Sequence, residues 1–224
     1  MPRHPIHIAA HRGDLAEVQR LITEDPRLME LRDIAADGGY DDDVDDDTFG
    51  NTPLLLAARR GHADMMEWFL DQGADRDAQD ICAWDALLWA CEKGHAALVS
   101  MLLDRGMDMN RATGNGWAPL MSAAVEGHAA IVEILLSRKE IEMDRQNRWG
   151  YTAIFEAIFD GHHQQLRRLL DAGADPRVPS NDGWTALDEA RASGHAACIR
   201  LLEVRSLFRI CPSFLLRTSR SRLI

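Results

Sequence analysis

The fold of this chain is decided by one stretch that recurs along it. Residues 52–75 read TPLLLAARRGHADMMEWFLDQGAD: an apolar stretch with two alanines, a Gly-His pair, a second apolar stretch and a closing Gly-Ala-Asp. The Gly-His pair returns with spacings of 33, 33, 34 and 33 residues, at Gly61, Gly94, Gly127, Gly161 and Gly194. Gly13 begins a weaker copy 48 residues before Gly61. A fixed period in this range predicts a repeat protein of about six units.

Each unit is predicted to form two helices. In residues 116–143, Pro119 suits the first turn of a helix, and Leu120, Ala123 and Ala124 form a narrow face that lets another helix approach closely. Gly127 then ends this helix, because glycine accepts the left-handed backbone conformation. Apolar residues at helical spacing follow over residues 131–136. Neither helix can bury its apolar face alone, so the units must stack into an all-α solenoid.

These motifs resemble the ankyrin repeat over about residues 3–203. The pattern Thr-Pro-Leu, Ala-Ala, Gly-His, a leucine pair and Gly-Ala-Asp is nearly complete in residues 52–75. The resemblance implies about six helix-turn-helix units, with a β-turn "finger" protruding between consecutive units. It also implies a structural role for His7, which holds a turn in that family. Unit three has Ala83 where the family places a turn glycine, so a tilted finger is expected there.

Composition narrows the possible functions. The 224 residues are 46% hydrophobic and 27% charged, as in ordinary globular proteins. The net charge of −11 disfavours binding to a phosphate backbone, so no nucleic-acid partner is expected. No apolar run reaches the roughly 18–20 residues of a membrane span, and no signal peptide is recognised. The four cysteines show no paired spacing. We therefore expect reduced thiols and a cytoplasmic location, with the nucleus as an alternative.

Two segments depart from the repeat. About 15 extra residues near 32–48 include the run DDDVDDD at 41–47, which predicts an extended acidic loop that favours a partner with a basic surface. Residues 204–224 hold five arginines and no acidic residue. This tail is expected either to cap the last unit or to be disordered, in preference to lying on a membrane. The repeat domain itself is assigned to residues 1–203.

The sequence offers no catalytic or metal-binding constellation. His7 and His11 have metal-ligand spacing, but a structural role is favoured for His7 and for the recurring Gly-His histidines. The aspartate run lacks the glycine and glutamate positions of a calcium-binding loop. Neither a cofactor nor a metal is therefore expected, and the chain is predicted not to be an enzyme.

One position just before each first helix is aromatic in four of five units. It holds Asn51, Trp84, Trp117, Tyr151 and Trp184. The resemblance places this position at the fingertip, so we predict an exposed row of partner-binding rings, whereas Trp68 and Trp89 belong inside. Neighbouring fingers would extend the row, and the first helices would form its rim. The residues predicted to extend or rim the row are Phe49, Arg148, Trp149, Arg59, Arg60, Glu92 and Lys93.

The favoured function is a non-catalytic module that, as a monomer, binds a partner protein on the concave finger and first-helix surface. Two alternatives remain open. One is a substrate-recognition subunit of a ubiquitin ligase complex, because the tail has a faint likeness to a C-terminal box that some ankyrin proteins carry. The other is a regulatory subunit of an enzyme on another chain.

Overall fold

The computed structural model describes residues 4–33 and 50–210, with side chains described as far as residue 205. These residues form twelve α-helices and one short 3-10 helix, Pro26–Glu30, and contain no strand. The helices, numbered α1 to α12 in chain order, are Pro5–Arg12, Leu15–Glu24, Pro53–Arg60, Ala63–Asp71, Ala86–Glu92, Ala96–Asp104, Pro119–Val125, Ala129–Leu136, Ala153–Phe159, His163–Ala172, Ala186–Ala192 and Ala196–Ile210.

The helices pair into six units that stack in two layers. The first helices of the units (α1, α3, α5, α7, α9 and α11) pack side by side in one layer. The second helices α6, α8, α10 and α12 form another layer, while α2 and α4 pack on the first helices of their own units. One apolar core runs through the stack from Ile6 to Leu202. The predicted all-α solenoid of six units is confirmed.

The Gly-His pair is the joint between units. Gly61 ends α3 with a φ of 75°, and a β-carbon at this position would lie 2.5 Å from Nδ1 of His95 in the next unit. Nε2 of the same ring lies 2.9 Å from the carbonyl oxygen of Arg59. His95 thereby binds one of the carbonyl groups at the C-terminal end of the preceding first helix, α3. His62, His128 and His195 make the same contact. The structural role predicted for these histidines is confirmed.

The first unit uses its histidine differently. Nε2 of His7 lies 2.9 Å from the carbonyl oxygen of Leu31, after the 3-10 helix, so the turn-holding role of His7 is confirmed as well. The fifth unit departs from the joint in another way: Gln165 donates from its side-chain amide to the carbonyl oxygen of Gly127.

The finger of unit three keeps its turn without a glycine. Ala83 has a φ of 62°, the one positive φ at a non-glycine residue among the described residues. The turn is closed by hydrogen bonds from Ala83 to Asp80 and from Asp80 to Trp84. The left-handed conformation costs an alanine roughly 1–2 kcal/mol.

Ala83→Gly is therefore expected to stabilise the protein by about 0.5–1 kcal/mol, because relief of this strain exceeds the added flexibility of the unfolded chain. Urea denaturation of the two proteins measures the difference. Ala97→Gly, in the exposed part of α6, is the control and should be destabilising. If Ala83→Gly lowers the free energy of unfolding as much as Ala97→Gly does, Ala83 is not strained.

Both segments that depart from the repeat are only partly described. The acidic loop falls on residues 34–49, outside the described residues, but the chain on either side of it is joined: Gly50 donates to the carbonyl oxygen of Asp33, and Asp33 donates to that of Asn51. Helix α12 continues through the boundary expected at residue 203 as far as Ile210, and Arg205 pairs with Asp171 of α10. Residues 211–224 lie outside the described residues, so the role of the tail stays a prediction.

Candidate protein-binding surface

The fingers are turns fixed by one polar side chain each. In the last four fingers, this side chain accepts a hydrogen bond from the backbone N–H four residues later, which belongs to the aromatic residue of the row. Asp80 binds Trp84 over 2.9 Å, and Asn147 binds Tyr151 over 3.0 Å. Thr113 and Ser180 do the same for Trp117 and Trp184. The aromatic residues therefore start from equivalent, well-defined backbone positions.

The row is less exposed than the sequence predicts. Trp184 is 45% exposed, whereas Trp84, Trp117 and Tyr151 are half-buried because each packs on the first helix of its own unit. The ring of Trp84 lies 4.7 Å from that of Trp89, and Tyr151 lies 5.1 Å from Phe159. Nε1 of Trp117 donates to the hydroxyl of Ser122 over 2.7 Å. These three rings are both structural and accessible at one edge.

One residue that the sequence analysis predicted at the rim of the aromatic row is buried instead. Arg59 is only 5% exposed, because its guanidinium lies 4.7 Å from the centre of the Trp89 ring and fills the space beside it. The expectation that Arg59 lies on an exposed rim is wrong. Lys93 is exposed at the opposite side of the same ring, 5.9 Å from its centre, and Arg60 and Glu92 are half-buried. Trp89 is buried as predicted, and Trp68 is half-buried.

Three of the large apolar residues that are exposed among the described residues lie on the fingers, namely Ile81, Trp149 and Trp184. Trp149 is 42% exposed, and the guanidinium of Arg148 stacks on it at 4.3 Å. Hydrogen bonds join neighbouring fingers: Arg148 donates to the side chain of Asn115, and Asn181 donates to the carbonyl oxygen of Trp149. Ile81, a fingertip residue that the sequence analysis did not select, is 71% exposed. Phe49 lies outside the described residues.

The sequence analysis also missed three acidic residues on or just after α7 and α9, namely Glu126, Glu156 and Asp160. Glu156 is only 4% exposed and accepts a hydrogen bond from Nδ2 of Asn147. Burial raises the pKa of Glu156 to about 7, and the neighbouring charge of Asp160 adds to this shift. Burial, followed by the charge of Glu126, also raises the pKa of Glu92. Glu156 stands two repeats after Trp89, and Glu126 and Asp160 stand one and two repeats after Lys93. A comparison of equivalent repeat positions could therefore have revealed these acids.

The described residues show no site of another kind. They contain no group of three or more histidine, cysteine, aspartate or glutamate side chains placed to hold a metal ion. Within the same ranges, no helix is both long and apolar enough to cross a membrane. The two most exposed aromatic rings among the described residues, Trp149 and Trp184, both belong to the fingers.

Six stacked helix pairs with fingers locked by hydrogen bonds define a helical repeat solenoid of the class that generally mediates protein–protein interaction. A sequence model described as ankyrin repeats matches the chain in three copies, over residues 2–80, 63–147 and 136–205. The chain belongs to the ankyrin repeat family.

Several curated proteins share this similarity. "Protein fem-1 homolog A-like" of Mus musculus is 37% identical over 208 residues, which cover 88% of this chain and 30% of that protein. "Notch-regulated ankyrin repeat-containing protein B" of Danio rerio is 34% identical over 59 residues, which cover 26% of this chain and 53% of that protein. "Probable E3 ubiquitin-protein ligase XBOS34" of Oryza sativa subsp. japonica is 43% identical over 58 residues, 25% of this chain and 11% of that protein. The chain thus spans about a third to a half of the first relatives' lengths.

Proposed function

We propose that the protein is a non-catalytic binding module that holds a partner protein on its fingers and first helices. The observation that carries this proposal is the exposure of Trp149 and Trp184 on two consecutive fingers. A ring held on an ordered backbone loses little conformational freedom on binding, and tryptophan is enriched among the residues that dominate interface energies.

The neighbouring residues support the same surface. Arg148 already stacks on Trp149, and Trp117 and Tyr151 are half-buried and so partly accessible. We keep Trp84, Arg60, Glu92 and Lys93 in the proposed surface, whereas buried Arg59 acts by supporting Trp89. The free thiols of Cys82, Cys91 and Cys198 support a cytoplasmic or nuclear setting.

The test is the double variant Trp149→Ala/Trp184→Ala. Each truncation is expected to cost about 2 kcal/mol of binding free energy, so that partner proteins captured by the wild type are lost from the variant. Its unfolding free energy should fall by no more than about 2 kcal/mol, since Trp149 and Trp184 are 42% and 45% exposed and neither is a core residue. Quantitative affinity purification compares the captured proteins.

The control variant is Val204→Ala, which removes an exposed apolar group from α12, away from the fingers. It should capture the same proteins as the wild type. If the double tryptophan variant also retains every captured protein, the fingers are not the binding surface.

A narrower function also has support: recognition of substrates for a ubiquitin ligase. The similarity to a relative whose name describes a probable ubiquitin ligase favours it, although the matching region is only 11% of that protein. Co-purification of elongin-type adaptors or a cullin would support this function. Their absence from a purification that retains the finger-dependent partners would leave the general binding role and exclude the narrower one.

A further inference from the structure

The surface around Trp89 shows how this solenoid arranges charges near its aromatic rings. Arg59 lies 4.7 Å and Lys93 5.9 Å from the centre of the ring, and Asp80 accepts a hydrogen bond from Nε1 of Trp89 over 3.1 Å. Cations near aromatic faces are attracted by the electron-rich π-system. In unit three, the chain itself supplies both the rings and the cations.

One repeat later, the charges at the same positions are reversed. A step of 33 residues leads from Arg59 to Glu92 and from Lys93 to Glu126. Glu126 follows Ser122 by four residues, and Ser122 accepts a hydrogen bond from Nε1 of Trp117. A further step of 34 leads from Glu126 to Asp160, which lies near Glu156 in unit five. Rings are still present, because Tyr151 packs on Phe159 at 5.1 Å. Units four and five therefore keep a ring before the first helix, in Trp117 and Tyr151, and carry Glu126 and Asp160 at the position of Lys93.

Two of these carboxylates, Glu126 and Asp160, differ from the acids that form ion pairs elsewhere in the solenoid. On the second helices, acids of one unit pair with arginines of the next: Asp71 with Arg105 and Asp104 with Arg138, each at 2.6 Å. Glu126 and Asp160 are exposed and form no ion pair with any described residue. Burial raises the pKa of Glu92 and of Glu156, and the neighbouring negative charges of Glu126 and Asp160 add to these shifts.

We propose that this part of the first-helix surface binds an arginine-bearing basic segment of the partner protein. We call it the acidic row, defined by Glu92, Glu126 and Asp160 with the rings of Trp117, Tyr151 and Phe159, whereas buried Glu156 lies beneath it. Arginine suits it because the planar guanidinium can stack on a ring while donating hydrogen bonds to a carboxylate. This inference rests on the proposed function, since it specifies the chemistry of the partner on the same surface.

The test uses a fluorescein-labelled peptide of alternating arginine and glycine as the probe, with fluorescence anisotropy at low ionic strength. Glu126→Lys/Asp160→Lys reverses two exposed charges of the acidic row and should weaken binding at least about tenfold. The control, Asp64→Lys/Glu140→Lys, makes the same change in net charge at exposed positions outside the row and should bind within about twofold of the wild type. A peptide with citrulline in place of arginine should bind at least about tenfold more weakly.

Equal weakening in both charge variants would overturn the proposal, because it would show a response to net charge alone. Absence of binding to the wild type, or undiminished binding to the acidic-row variant, would also overturn it. These failures are separable from failure of the proposed function. If Trp149→Ala/Trp184→Ala still loses its captured proteins, the fingers remain the binding surface and only the basic chemistry of the partner is wrong.

Discussion

Gly61→Ala is expected to lower the free energy of unfolding by about 3 kcal/mol. Two costs combine. At a φ of 75°, an alanine is strained by roughly 1–2 kcal/mol. Its β-carbon would also lie 2.5 Å from Nδ1 of His95, so the imidazole must move away. Overpacking of this kind typically costs about 1–3 kcal/mol, and displacement of the ring also removes its contact with the carbonyl oxygen of Arg59.

Gly73 supplies the matched control. It has a similar φ of 83°, but a β-carbon there would have no neighbour within 4 Å. Gly73→Ala should therefore show only the backbone cost, about 1 kcal/mol. Urea denaturation measures the loss of unfolding free energy in each variant. The difference between the two losses is the cost of the contact between Gly61 and His95 of the next unit.

A double-mutant cycle makes the test specific to the histidine. In a His95→Ala background the ring is absent, so the cost of Gly61→Ala should fall to about 1 kcal/mol, the value expected for the backbone alone. If Gly61→Ala costs as much without the ring as with it, the glycine is required for its conformation only and the joint between units is not steric.

Glu156→Gln is expected to stabilise the protein at pH 8 by about 3 kcal/mol. Burial raises the pKa of Glu156 from 4.5 to about 7, and each pKa unit corresponds to about 1.4 kcal/mol. A carboxyl group with a raised pKa binds a proton on folding, so its contribution to stability falls as pH rises from about 4.5 to about 7. Above pH 7 the folded protein carries the full cost of a buried carboxylate near Asp160. Glutamine stays neutral and can still accept the hydrogen bond from Asn147.

The pH dependence separates this effect from a change in packing. The gain from Glu156→Gln should be about 2 kcal/mol larger at pH 8 than at pH 5, where most folded molecules carry a proton on Glu156. Urea denaturation at the two pH values measures it, with the exposed Glu140→Gln as the control. A gain that is the same at both pH values would mean that Glu156 does not titrate in this range.

The repeat period predicted most of the fold, because the residues that it marks act within a single unit. A glycine at the end of a first helix, a proline in its first turn and two apolar stretches at helical spacing act within one unit. The helix boundaries around Pro119 and Gly127 follow from such signals. Even Ala83, an exception to the family's glycine, keeps its turn, because Asp80 and Trp84 hold the finger from both sides.

The binding surface followed only in part from the sequence, since exposure depends on contacts between units. The aromatic period at Trp84, Trp117, Tyr151 and Trp184 was visible, but the half-burial of the first three arises from contacts with their own first helices. Trp184 is more exposed, and its unit is the last one described in the stack. Their roles as binding residues stay predictions.

The sequence by itself thus determined the number of units, the two helices of each and the Gly-His joint, because these depend on backbone conformation and on a pattern repeated every 33 or 34 residues. Only the tertiary structure decided that Arg59 is buried beside Trp89 and that Glu156 is a buried acid with a raised pKa. Arg59 is covered by Trp89 of the next unit, and Glu156 lies on α9, which packs between α7 and α11 of the neighbouring units. The burial of both side chains is therefore a property of the stack that no single unit encodes.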